Sequence, residues 1–182
     1  SGPLQLEAPV AVEVLIDQAT IARRVAELGQ AIRQDAGPGV DVHLVAALKG
    51  AFVFLADLMR AIDGPASCDF IGLSSYGSGT RSSGALRITK DLEADLAGRY
   101  VVIVEDIVDT GRTLDEIQKM LQTRRPSSVK TVCLLDKPSR REVTVSVDYV
   151  GFTIEDRFVV GYGLDFNEQH RNLPYVGVIE TA

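Results

Sequence analysis

The chain has 182 residues, 46% of them hydrophobic, which is enough for a sizeable core and argues against wholesale disorder. Its net charge of −6 argues against an extended nucleic-acid surface and makes any phosphorylated ligand depend on local cations. No apolar run reaches the ~18 residues of a membrane span, and no basic segment followed by an apolar one opens the chain, so a cytoplasmic protein of one domain, residues 1–182, is expected.

Taken in order, residues 10–16 read as a short strand, and Asp17 is a good N-cap for a helix running to about Gln34. Ile21, Val25, Leu28 and Ile32 recur at helical spacing and are expected in the core. After a Gly37-Pro38-Gly39 turn, residues 40–48 read as a buried strand, with His43 a packed strand residue. Lys49-Gly50 is a strand-to-helix turn ahead of a helix at 51–62, and open α/β sheets bind ligands at such turns. A third strand spans 67–75. It leads into Tyr76 to Gly84, nine residues with three Gly and three Ser, a flexible composition. Residues 86–89 read as the returning strand.

Residues 101–113, VVIVEDIVDTGRT, carry the most chemistry. Val101 to Val104 are all β-branched and suit a strand buried on both faces, ending at the acids Glu105 and Asp106. A turn with Asp109, Thr110 and Gly111 follows, then a helical pattern in which Leu114, Ile117, Met120 and Leu121 share a face. Thr113 with Glu116 three residues on predicts a capping box at the helix start. A helix N-terminus offers free N–H groups to an anion, Gly111 permits close approach, and Thr110 and Thr113 add hydroxyls. Carboxylates repel a bare phosphate. They fit sugar hydroxyls or a divalent cation, so a sugar phosphate with Mg²⁺ satisfies the whole set. The bland alternative, an acidic turn in some other α/β protein, would need acid pair, spacing, glycine and capping box to coincide by chance.

Arg124, Arg125 and Pro126 end that helix, and residues 129–135 read as another buried strand, followed by Lys137. The tail is strand-rich, with strands expected at 158–162 and 175–180. Cys68 and Cys133, the only two cysteines, lie in apolar strand-like runs and are expected to be buried free thiols in a reducing compartment.

Residues 101–114 resemble the ribose-phosphate loop of the type I phosphoribosyltransferases. Glu105-Asp106 followed by Asp109-Thr110-Gly111 is similar to the hypoxanthine-guanine branch, since the adenine and orotate branches usually carry a small residue where Asp109 stands. The resemblance extends over about residues 10–180 and implies roles elsewhere. Lys49-Gly50 resembles the short pyrophosphate loop, with a Leu48–Lys49 bond that is often cis. Ser75-Tyr76 opens the loop that closes over the site. Lys137 matches the lysine that donates to the 6-oxo group of a purine, and an ammonium has no acceptor to offer adenine. Phe158 matches the aromatic that stacks on the base, and Val159 the residue whose backbone meets it. Asp165 matches a carboxylate near a second Mg²⁺, and Arg171 a cation near pyrophosphate. Arg112 stands where some members carry Lys. Asp109 is implied as general acid/base at N7, and Glu105, Asp106 and Asp165 as the metal-facing acids.

The alternation of strands and helices predicts a parallel twisted sheet flanked by helices, with a core of about 10–145 and a small strand-rich hood at about 146–182. The implied reaction is transfer of a 5-phosphoribosyl group from 5-phosphoribosyl 1-pyrophosphate to a 6-oxopurine. The family implies a homodimer or homotetramer and no nucleic-acid or membrane partner. A xanthine-preferring enzyme and an RNA-binding regulator on the same fold are the alternatives.

Overall fold

A computed structural model describes residues 11–75 and 86–180. Asp17 caps the first helix, accepting from the Thr20 backbone N–H at 2.8 Å, so α1 runs Gln18–Ala36 behind the short strand β1, Val12–Ile16. The expected stripe of Ile21, Val25, Leu28 and Ile32 is buried. Next come β2 (Val42–Ala47), α2 (Phe52–Arg60), β3 (Ala66–Ser75) and β4 (Leu86–Lys90). The central pair is β5 (Tyr100–Val108) and β6 (Ser128–Asp136), joined by α3 (Arg112–Gln122). The tail contributes β7 (Tyr149–Thr153), β8 (Val159–Val160) and β9 (Val176–Ile179).

Six strands form one sheet in the order β4-β3-β2-β5-β6-β7. All its pairings are parallel except β3 with β4. One face, with Leu44, Val102, Val104 and Leu134, packs against α1 and α2; the other, with Val45, Val101 and Ile103, packs against Leu114, Ile117 and Leu121 of α3. Each fully buried Leu or Ile of these layers contributes roughly 1.5–3 kcal/mol. Arg24 of α1 covers the edge strand, donating to the carbonyls of Gly151 at 2.9 Å and Val150 at 2.6 Å. Among the described residues no helix is long and apolar enough to cross a membrane.

Several expectations change. β7 had not been expected: its residues are half-buried with no alternation, and it pairs with β6 inside the large sheet. The second sheet, β1-β9-β8, is antiparallel and recruits the N-terminal strand, so the hood is not made of the tail alone. β8 stops at Val160 because Gly161 and Tyr162 take positive φ, 91° and 51°. Cys68 is exposed, not buried: alternate residues of β3 face opposite ways, and Asp69 and Ile71 take the inward positions. Cys133 is buried as expected. His43 is a packed strand residue, its Nδ1 2.8 Å from Ser67 Oγ.

Candidate active site

The neighbours of β2 are β3 on one side and β5 on the other, so the connections diverge at the C-terminal ends of β2 and β5. Open parallel sheets bind ligands at such a divergence. A cleft of about 250 Å³ opens there, lined by Gly50, Glu105, Asp106, Asp109, Thr110 and Gly111, with Thr113 on the helix side.

β5 does not end at the acids. Its ladder to β6 continues through Glu105 opposite Cys133 to Val108 opposite Asp136. Glu105 and Asp106 therefore lie within the strand and, by its pleat, point to opposite faces of the sheet. Asp106 leans over the Lys49-Gly50 turn, where a Cβ added to Gly50 would meet Asp106 Oδ2 at 2.0 Å, so any larger residue there would push the carboxylate aside. Glu105 is 8% exposed, and its Oε1 has no hydrogen-bond partner among the described residues. Burial and the neighbouring Asp106 charge push the Glu105 carboxyl up to about 8. Burial also raises Asp106, although the Ile107 N–H donates to its Oδ1 at 2.8 Å. The same burial, with the Asp136 and Glu105 charges, pushes the Cys133 thiol up to about 12 and leaves it inert.

The capping box does not form. Gly111, at φ 82°, takes the N-cap position expected of Thr113, the helix starts two residues earlier, at Arg112, and the exposed Thr113 sits in the first turn on the side of the cleft. Thr110 N–H donates to Asp109 Oδ1 at 2.5 Å and Arg112 N–H to Thr110 Oγ1 at 3.3 Å. The Arg112 guanidinium is turned away, paired with Glu142.

The other expected residues that the structure describes do not line this cleft. The Leu48–Lys49 peptide is cis. Lys49 Nζ lies 3.5 Å from Glu168 Oε2. Gly163 packs on this turn, since a Cβ there would meet the Gly50 carbonyl oxygen at 2.5 Å. Arg171 fixes that contact, donating from Nη1 to the Gly163 carbonyl at 2.7 Å with Nη2 3.5 Å from Asp165 Oδ1. Asp165 is tied to Arg171 and to the Glu168 N–H, and does not join the acid pair in the cleft. Lys137 follows β6, its N–H on the Val108 carbonyl at 2.9 Å and its largely buried side chain 3.5 Å from Asp156. Phe158 is 45% exposed and makes a T-shaped contact with Phe166, ring centres 5.5 Å apart, while Val159 is buried. Ser75 ends β3; Tyr76 and the expected lid lie outside the described residues.

Among the described residues no three acid, His or Cys side chains cluster as a ready-made metal site. The donor set still fits Mg²⁺. Glu105 and Asp106 leave the strand on opposite faces but both line the cleft, and carboxylates, one with an orphaned buried oxygen, are the hard ligands this ion takes, with substrate oxygens and water completing its shell. Sequence reasoning missed Asp136, Arg141, Asp156 and Glu142. Only the Lys-Pro-Ser-Arg-Arg run after β6 hinted at a basic turn there.

A phosphate-ready helix start beside a buried acid pair, at the divergence of a parallel sheet, is the arrangement of a sugar-phosphate transferase. Residues 12–167 match the phosphoribosyl transferase domain family, and the chain belongs to that family. It is 48% identical over 169 residues to the hypoxanthine phosphoribosyltransferase of Salmonella typhimurium, covering 92% of this chain and 95% of the relative. A crystal structure of a hypoxanthine-guanine phosphoribosyltransferase from Bacillus anthracis superposes with a TM-score of 0.89 at 40% identity, covering 94% of this chain and 100% of that one. The hypoxanthine phosphoribosyltransferase of Trypanosoma cruzi in complex with its product IMP gives 0.88 at 41% identity, covering 96% and 97%.

Proposed function

We propose that the chain is a purine-salvage pentosyltransferase that moves a 5-phosphoribosyl group from 5-phosphoribosyl 1-pyrophosphate to N9 of hypoxanthine or guanine, releasing pyrophosphate and IMP or GMP. The observation that carries this reading is the cleft itself, with Glu105 and Asp106 beside the Asp109–Thr113 turn. Its relatives' activity is the second support.

In this reading the turn N–H groups with Thr110 and Thr113 bind the 5-phosphate. Arg112 contributes its backbone, because its guanidinium is engaged by Glu142. Glu105 and Asp106 accept from the ribose hydroxyls; a cation or the sugar's own positive charge beside them would offset the burial that raises both, and the negative charge they then carry favours the cationic sugar as the bond from C1 to pyrophosphate breaks. Both would hold Mg²⁺, with Asp165 facing a second ion; when bound, the metal neutralises charge on the departing pyrophosphate. Lys49 and Gly50 meet that group, with Arg171 beside them. Lys137 donates to the 6-oxo oxygen, Phe158 stacks on the ring, and the Val159 backbone meets the base edge. N9 attacks C1, and Asp109 takes the proton the base gives up at N7. Ser75 and Tyr76 belong to a lid that excludes water from the reactive sugar.

The chain acts as a single domain in the cytoplasm, on small-molecule substrates. Leu48 and Phe52, 46% and 44% exposed beside Lys49, form an apolar patch that suits a homodimer or homotetramer. The deciding experiment is a Mg²⁺-dependent assay with 5-phosphoribosyl 1-pyrophosphate and hypoxanthine, guanine, xanthine or adenine in turn. Nucleotide from the first two and none from adenine is expected; turnover of adenine alone would overturn the reading.

A further inference from the structure

We propose that Arg141 is a positioning residue for the phosphate turn: it ties back the carbonyls of Val108 and Asp109 and neutralises Asp136, so that the turn's N–H groups stay aimed at the 5-phosphate. This rests on the reading of the cleft given above.

Three consecutive carbonyls of the turn are held from behind by residues 137–143. The Val108 carbonyl accepts from the Lys137 N–H at 2.9 Å and from Arg141 Nη1 at 3.4 Å. The Asp109 carbonyl accepts from Arg141 Nη1 at 3.1 Å. The Thr110 carbonyl accepts from the N–H groups of Glu142 at 2.9 Å and Val143 at 3.3 Å. In a trans peptide the C=O and the following N–H point in opposite directions. Tying back the carbonyls of 108, 109 and 110 therefore turns the N–H groups of Asp109, Thr110 and Gly111 the other way, that of Thr110 onto the Asp109 carboxylate and those of Asp109 and Gly111 towards the cleft. Successive N–H groups presented together make an anion-binding concavity. Backbone donors supply two of the three ties, but among the described residues the Asp109 carbonyl is reached by a side chain, that of Arg141.

The same guanidinium answers a second problem. Asp136 ends β6 directly behind the turn, and its side chain is only 12% exposed. An uncompensated carboxylate there would repel a phosphate on the other side of a single peptide layer. Arg141 Nη1 lies 2.9 Å from Asp136 Oδ1, an ion pair at an angle outside hydrogen bonding. A single nitrogen, Nη1, meets the carboxylate and both carbonyls at once, one bond beyond the reach of a lysine ammonium on the same stem. The arginine also sits under the tightest point of the turn: a Cβ added to Gly111 would meet Arg141 Cδ at 3.3 Å and the Val143 carbonyl oxygen at 3.1 Å. Glycine and arginine thus fit as a pair.

The test separates phosphate binding from everything else by comparing IMP with inosine, which lacks only the phosphate. Affinities of both are measured by titration calorimetry on the full chain, with thermal melting as the check on folding. For Arg141→Met, IMP affinity is expected to fall roughly 10- to 100-fold, the scale of losing charge-assisted hydrogen bonds. Inosine affinity is expected to stay within about twofold. An IMP-to-inosine ratio unchanged from the parent, or an equal loss of both ligands, overturns the role of Arg141. Should the methionine variant fail to fold, Arg141→Lys decides: it keeps a charge near Asp136 but ends one bond short of the Nη1 position that reaches the Asp109 carbonyl, so its ratio is expected below the parent's, and a parental ratio overturns the proposal. A parent protein that binds inosine as tightly as IMP overturns the reading of the cleft, and this inference with it.

Discussion

At the N-terminal ends of β2 and β3, Ser67 Oγ donates to Asp41 Oδ2 at 2.7 Å, Arg99 Nη2 donates to the same oxygen at 2.9 Å, and Arg33 donates to the carbonyls of Gly37, Val40, Asp63 and Pro65. At the C-terminal end of β5, Glu105 keeps a buried oxygen with no partner, and burial raises both Glu105 and Asp106. The two ends use the same residue types. At one, acids find their cations and N–H groups within the chain, and the result is stability. At the other they are left for something that arrives from outside. A buried carboxyl without a partner costs the folded state free energy, so its presence at the sheet's ligand-binding edge points to a ligand that repays it. The comparison predicts that substitutions at the C-terminal end change kinetics and spare the melting temperature, while those at the N-terminal end do the reverse.

The largest effect is expected at Asp109. Asp109→Asn keeps an oxygen to accept from the Thr110 N–H, so the turn retains its shape while the proton acceptor is lost. Turnover is expected to drop ~10²-fold or more, the scale of general acid/base work, with melting unchanged. Steady-state kinetics beside a thermal melt check both halves. Full turnover in the variant would remove Asp109 from its role. Gly50→Ala belongs with it. The new Cβ would displace Asp106, and a misplacement of ~1 Å near the chemistry costs about 10²-fold. Undiminished activity there would mean that the position of Asp106 does not matter.

Lys137→Ala should act more narrowly. Its ammonium faces the half-exposed Asp156, so removal leaves no buried charge behind. Loss of one charged hydrogen bond to the base corresponds to a roughly tenfold or larger weakening of hypoxanthine, with 5-phosphoribosyl 1-pyrophosphate unaffected. Calorimetric titration of each ligand separates the two. Parallel weakening of both would assign Lys137 to the architecture of the C-terminal end rather than to the base.

What was legible in the chain follows from how local each feature is. Strand, turn and helix at 101–122 are contiguous, so the acid pair, Gly111 and the buried face of Leu114, Ile117 and Leu121 could be read directly. The helix stripe at Ile21 to Ile32 was equally plain. The two tail strands of the hood were expected, but the recruitment of β1 to it was not, because that rests on pairings such as Val12 with Ile179, which no local pattern encodes. β7 escaped because an edge strand under a helix has no alternation to reveal it. Thr113 and Glu116 satisfied the capping pattern, yet Gly111, which the turn already required, took the cap itself. The approach of Asp106 to Gly50 and the ties from Arg141 are tertiary contacts between residues more than 30 positions apart, beyond what spacing can show.

The smallest effect tests the other end of the sheet. Burial opposes ionisation of Asp41, but the Ser67 hydroxyl and the Arg99 guanidinium outweigh it and hold its carboxyl below the usual range. A depressed folded-state value means that the folded protein binds the proton less readily than the unfolded chain. The contribution to stability is then complete above the unfolded value, near 3.8, and is lost as pH falls through the folded one. Asp41 is half-exposed, so the pair is worth about 1 kcal/mol or less, a shift of roughly 2–4 °C in a chain of this length. Asp41→Asn should therefore melt a few degrees below the parent at pH 7, and the two melting curves should converge as pH drops below about 4. Kinetic constants at pH 7 should stay the same, since no atom of this network reaches the cleft. A melting gap that persists at low pH would mean that packing of the carboxyl, and not its charge, supports this end. A change in turnover would mean that the two ends of the sheet are coupled.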